Sequence, residues 1–197
     1  PKIFASSSDD NSVKFWDIRH QQAMRTEKFR NQPIAAFHPQ DPQIVAISHR
    51  INSQLYVIEL HSIQTKTIIN KFEIECEGIE WTGLKYSDDG KLLLITTNDS
   101  LIIILDAESG EQLHRFRGFD NTQRQNIAAC FIPYSHLVIS GSADGANHIW
   151  DLQTSEKVCI MKNSIGSACT KISFNSEFVC MATAGSGKFH LWIENDL

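Results

Sequence analysis

The chain has 197 residues, 42% hydrophobic and 21% charged, an ordinary globular composition that allows one or two domains. Eighteen basic against 23 acidic residues leave a net charge of −5, and no basic cluster stands out. This argues against a nucleic-acid-binding surface as the main role. No apolar run approaches the ~20 residues of a membrane helix, and no charged-then-apolar leader is present. The first residue is Pro1, not methionine, so the chain is expected to be processed or to lack its true start.

In chain order, one pattern recurs. "SVKFWDIR" (12–19), "SQLYVIEL" (53–60), "SLIIILDA" (100–107), "ANHIWDLQ" (146–153) and "KFHLWIEN" (188–195) align on Trp16, Ile58, Leu105, Trp150 and Trp192. The acid that follows is present four times, as Asp17, Glu59, Asp106 and Asp151. Six positions before the aligned residue stand Asp10, Asn52, Asp99, Asp144 and Ser186, turn formers of the kind that separate strands. A further marker precedes each of the last four units: "AAFHPQDP" (35–42), "LKYSDDGK" (84–91), "ACFIPYSH" (129–136) and "ISFNSEFV" (172–179). In each, an apolar or aromatic residue leads into a turn and a new apolar run begins.

Each full unit therefore predicts four short strands; for the third they fall at roughly 81–86, 91–97, 100–106 and 111–117. "KLLLITT" and "LIIILD" are apolar on both pleat faces, so both faces need cover from neighbouring sheets. Four-stranded units of ~40–45 residues with a Trp–Asp signature indicate an all-β WD40 β-propeller. The approximate units are 1–29, 30–73, 74–118, 119–162 and 163–197 of a single propeller segment. The first begins inside its second strand (Ile3–Ser7) and the last ends after its third (Phe189–Ile193), giving eighteen strands. A seven-bladed ring needs about 28. The expectation is the C-terminal five blades, two of them incomplete, of a seven-bladed ring, with roughly 110–120 residues missing before Pro1. A five-bladed ring closed by these residues is the alternative.

Candidate chemistry is weighed against the repeat. Asp88–Asp89–Gly90 could be a carboxylate pair, but the other units place turns there, so a hairpin turn is expected with Gly90 at positive φ. Asp144, His148 and Ser140 could suggest a hydrolase triad, which needs a unique nucleophile held by a base. The acid and tryptophan recur in register, and Ser6 matches Ser140, so Asp10, Trp16, Asp99, Asp144, Trp150 and Trp192 read as a structural network of the repeat. WD40 blades often complete such a network with a Gly-His pair; Gly118–Phe119 stands here instead, leaving the network incomplete. "GSGK" (185–188) lacks the rest of a phosphate loop and reads as a strand turn. Arg115, Arg117 and Arg124 are either solvated edge charges or a patch for an acidic partner. The five cysteines have no ligand spacing and are expected to be reduced, mostly buried thiols. No catalytic, cofactor-binding or metal-binding residues are expected. Trp81 departs from the repeat at the start of an innermost strand near the channel mouth. It either anchors a peptide or packs between blades. Glu80, Trp81, Arg124 and Asn126 form the candidate protein-binding set.

"EWTGLKYSDDGKLLLITTNDSLIIILDAESGEQLHRFRG" (80–118) resembles the WD-repeat-containing protein 82 family, propeller subunits of the COMPASS histone methyltransferase. The resemblance continues more loosely through 37–60, 131–152 and 172–197. It implies a nuclear, non-enzymatic scaffold that binds a segment of a histone H3 methyltransferase. It further implies links to protein phosphatase 1, to cleavage and polyadenylation machinery, and to the phosphorylated tail of RNA polymerase II. The loops at "NKFEIECEGIEW" and "RGFDNTQRQN" depart from the family at blade faces, where partner choice is set. The alternative is a WD40 adaptor of another assembly, such as a ubiquitin-ligase receptor or an RNA-processing subunit.

Overall fold

The computed structural model describes residues 2–162, 168–175 and 180–193. Among them are eighteen strands and no helix. The first sheet has β1 (Ile3–Ser8), β2 (Ser12–Asp17) and β3 (Arg25–Lys28); the second has β4 (Ile34–Phe37), β5 (Ile44–Arg50), β6 (Leu55–Ser62) and β7 (Ile68–Glu75). The third has β8 (Trp81–Tyr86), β9 (Leu92–Thr97), β10 (Ile102–Asp106) and β11 (Gln112–Phe116). The fourth has β12 (Ala129–Phe131), β13 (Leu137–Ser140), β14 (Ala146–Asp151) and β15 (Lys157–Lys162), and the fifth β16 (Lys171–Phe174), β17 (Cys180–Gly185) and β18 (Lys188–Ile193). Each sheet is a meander of sequence neighbours, the blade architecture that the repeat predicts. The third sheet's strands lie within two residues of their expected bounds. Of the expected turn in "ISFNSEFV", Ser176 and Glu177 fall outside the described residues, as does the terminal "ENDL".

The chain divides into two compact units. One comprises Pro1–Ile79, Leu84–Leu93 and Asp106–Glu111; the other comprises Glu80–Gly83, Leu94–Leu105 and Gln112–Leu197. In the first, Val13 and Phe15 of β2 meet Val45 and Ile47 of β5 in a core bordered by Phe29, Phe37 and Ile63. In the second, Ile139 and Ile149 meet Cys169, Ile172, Met181 and Trp192. The central strands β9 and β10 carry the apolar-on-both-faces runs, and Leu93, Leu94, Ile95 and Ile102–Leu105 are fully buried.

Asp88–Asp89–Gly90 is a turn. The Asp89 Oδ1 accepts from the Ser87 hydroxyl at 2.6 Å and the Lys91 amide at 3.1 Å. Gly90 takes φ +75°, and a Cβ there would stand 2.2 Å from the His38 ring. That ring is fixed in turn by the Gln40 and Asp41 amides, which donate to its Nδ1, while Gln40 Nε2 donates to the Asp88 carbonyl at 2.8 Å. The "HPQD" and "SDDG" turns are thus stapled together inside the first unit, around a crevice of about 380 Å³ lined by Ile44, Leu60, Tyr86 and Ala107. The Ser87 hydroxyl, aided by the Lys91 amide, holds the Asp89 carboxyl below its usual range despite partial burial. A depressed folded-state pKa gives stability that is present above the unfolded value, near 3.9, and lost as pH falls through the folded one. Asp89→Asn is therefore expected to flatten the acid limb of a stability–pH profile, measured by urea unfolding. Asp88→Asn, where the fold uses the backbone carbonyl, leaves that limb in place.

The cysteines depart from expectation. Cys76 and Cys169 are buried, Cys130 and Cys180 intermediate, and Cys159 exposed; all five are free thiols. Cys159 lies on β15, an outer strand whose burial pattern is open on both faces, so an apolar run in the sequence did not mean an enclosed one.

Candidate functional site

The repeat's signature residues form local networks, not reaction centres. In the first sheet Trp16 Nε1 donates to Ser6 Oγ at 2.9 Å, and Asp10 Oδ1 accepts from the Ser12 amide and hydroxyl. In the fifth, Trp192 Nε1 donates to Thr183 Oγ1 at 3.0 Å. Both reach a hydroxyl two residues beyond the direct cross-strand partner (Phe4↔Trp16, Met181↔Trp192), the diagonal contact that long side chains make on one sheet face. Asp99 departs from this pattern. Its carboxylate faces Arg117 at 3.5 Å, with both side chains half-exposed.

The fourth sheet shows how Phe119 is accommodated. Trp150 is 2% exposed and lies between Phe116 and His148, with ring centroids 5.7 and 6.0 Å away; Phe119 meets it edge-on. His148, from β14, takes over the polar part. Its Nε2 stands 3.1 Å from Asp144 Oδ2 and its Nδ1 3.1 Å from the Lys157 ammonium. Lys157 also donates to the Gly118 carbonyl. An ammonium only donates, so Nδ1 accepts and Nε2 carries the proton toward Asp144. The network is rebuilt, with His148 and Lys157 standing in for a loop histidine. Burial pushes the Asp144 carboxyl up, but the Ala146 amide, Ser142 and His148 outweigh it and hold it low. Ser140 sits across from His148 and donates to the Gly141 carbonyl, so no nucleophile is presented to the imidazole.

The four candidate binding residues all belong to the second unit. Glu80 and Trp81 open β8. The Glu80 amide donates to Asn98 Oδ1, and the Asn98 side chain returns a bond to Glu80 Oε2 at 3.2 Å. Trp81 is only 6% exposed, so its ring is buried within this chain. Arg124 and Asn126 stand exposed on the loop before β12, with Arg124 at φ +52°. That loop is built around buried Asn121. Its side chain accepts from the Gln125 amide and donates to the Gln125 carbonyl, at 2.8 and 2.9 Å. The Asp120 amide donates to Ser142 Oγ. The loop is thus a fixed platform, and each pair of candidates is held in its own frame. Asp120-Asn121-Thr122 carries turn-forming residues, a signal that marks a loop but not which side chain faces inward. Gly185–Lys188 is the β17–β18 hairpin, which leaves no phosphate cradle there.

Two family models match. The WD domain, G-beta repeat, matches residues 1–17 and 110–151, and the anaphase-promoting complex subunit 4 WD40 domain matches 49–128. The chain is 34% identical to WD repeat-containing protein 82 of Drosophila melanogaster over 92% of its length and 56% of that protein's. It is 30% identical to Protein ANTHESIS POMOTING FACTOR 1 of Arabidopsis thaliana over 98% of its length and 57% of that protein's. It is 24% identical to COMPASS component SWD2 of Saccharomyces cerevisiae over 92% and 58%. It spans little more than half the length of these relatives. The repeat signature, the meandering four-stranded sheets and both matching models agree: the chain belongs to the WD40-repeat family.

Proposed function

We propose that the chain is a non-enzymatic protein-interaction scaffold, part of a nuclear WD40 subunit of a COMPASS-like histone H3 methyltransferase complex. The observation that carries this reading is similarity along almost the whole chain both to WD repeat-containing protein 82 and to a relative named as a COMPASS component. The geometry supports a display role. Rigid meanders hold bonded loops such as 118–128, and exposed polar groups on such a frame suit the rim of a protein interface. Glu80, Arg124 and Asn126 supply that rim, with Trp81 buried next to Glu80 in the chain, at the start of β8. Protein phosphatase 1, the polyadenylation machinery and the phosphorylated polymerase tail are the further partners this reading takes from the resemblance.

Affinity purification with mass spectrometry tests it. Recovery of methyltransferase subunits is expected; their absence alongside other machinery overturns the assignment. Arg124→Glu, which leaves the Asn121 frame intact, is expected to weaken capture by about tenfold, the scale of a rim charge reversal. The match to the anaphase-promoting complex subunit 4 model favours one second reading, a WD40 adaptor of another assembly such as a ubiquitin ligase. The same purification distinguishes it.

A further inference from the structure

Four ionisable side chains lie in a row inside the first unit, and a display role uses none of them. Glu27 comes from β3, the outer strand of the first sheet; His49 comes from β5, and Glu59 and His61 from β6, of the second. His61 Nδ1 stands 3.4 Å from Glu27 Oε2, and its Nε2 3.0 Å from Glu59 Oε2. The other Glu59 oxygen stands 3.6 Å from His49 Nε2. His61 and His49 are 4% and 8% exposed. The row is linear, and among the described residues no group of three or more His, Cys, Asp or Glu could hold a metal ion.

Hydrogen-bond chemistry gives this row a proton requirement. An ionised carboxylate only accepts, and a neutral imidazole donates from one nitrogen. His61 is hydrogen-bonded to Glu59 through Nε2, while its Nδ1, buried and without a hydrogen bond, lies at ion-pair distance from Glu27. With both acids ionised and both rings neutral, one lone pair of His61 must face an oxygen in a buried setting, where unmatched polar contacts are costly. One additional proton removes the mismatch. It belongs to the row as a coupled group and not to a single residue.

The surrounding charges are Arg25 on β3, ion-paired with Glu27, and Lys71 on β7, which lies across from Glu59 and is ion-paired with Glu73. Burial holds the His49 ring below its usual pKa against the pull of Glu59, and Lys71 and His61 push the same way. Phe29, just after β3, rests against His49 with centroids 4.9 Å apart, so the row and this ring contact tie the same short strand to the same sheet.

We propose that Glu27, His61, Glu59 and His49 form a proton-dependent clamp that fastens β3 to the second sheet, closed while the row holds one extra proton and loosened when that proton is lost.

Ring-nitrogen NMR and amide hydrogen exchange on the full chain, from about pH 6 to about pH 9 around the histidine range, test the clamp. Exchange of β3 amides is read relative to β5 amides in the same sample, which cancels the intrinsic pH dependence. Both His61 nitrogens are expected to be protonated at the acid end. As one proton is lost, relative β3 protection should fall by about tenfold, the factor that one pKa unit of linkage supplies. Glu59→Gln is expected to shift the ring transition and shrink the change in protection together. His61 remaining a single neutral tautomer across the range would overturn the clamp, as would β3 protection that tracks β5 throughout. Wild-type protein alone decides this, so a variant that fails to fold does not protect the proposal.

Discussion

Trp150→Ala is expected to lower the unfolding free energy by about 3–5 kcal/mol, the cost of emptying a large aromatic site in a core. The ring is enclosed by Phe116, His148 and Phe119, with the Lys157 ammonium 5.4 Å from its centroid. None of these can collapse easily into the space. Phe116 is a strand residue fixed by its pairing with Ile102, and His148 and Lys157 are bonded to each other. Removing the ring therefore leaves a cavity and also removes the aromatic surface against which the His148–Lys157 pair is held. Against a typical total of about 5–15 kcal/mol, that is a sizeable fraction of the stability. Urea unfolding followed by far-UV circular dichroism measures it. A loss below about 1 kcal/mol would mean that the aromatic stack is not a packing centre.

Ile58→Ala is expected to cost about 2–5 kcal/mol. Ile58 occupies the repeat position that holds tryptophan in three other units, and it is fully buried, 0% exposed. It pairs with Ser48 on one side and Phe72 on the other, so its environment is closed by two strands of its own sheet. Restoring the repeat's tryptophan gives no gain, because the site is already filled and overpacking costs about 1–3 kcal/mol. Ile68→Ala on the exposed edge strand β7, at 51% exposure, changes stability by within about 0.5 kcal/mol. Equal losses for Ile58→Ala and Ile68→Ala in parallel urea titrations would contradict this account.

The fold was legible wherever the evidence was local. Turn formers such as Asp10, Asp144 and Asp89–Gly90 act on backbone groups two residues away, and the run from Leu92 to Leu105 announced a strand pair covered on both faces. What stayed hidden depends on residues far apart in the chain. The replacement of a loop histidine by His148 joins residues from Gly118 to Lys157. The row from Glu27 to His61 spans three strands and two sheets. Burial of Trp81 and exposure of Cys159 are properties of neighbours, which a pattern of residue types does not carry.

The paired bonds between Glu80 and Asn98 have a consequence for glycan chemistry. Asn98-Asp99-Ser100 has the form of an N-glycosylation acceptor. Yet the nitrogen a sugar would be attached to, Asn98 Nδ2, is the one that donates to Glu80 Oε2, and Asn98 is 6% exposed. The folded chain closes this acceptor: a glycan transferred before folding would occupy the space that joins β8 to the β9–β10 turn. The same asparagine that frames Glu80 is thus withheld from sugar attachment once the chain has folded.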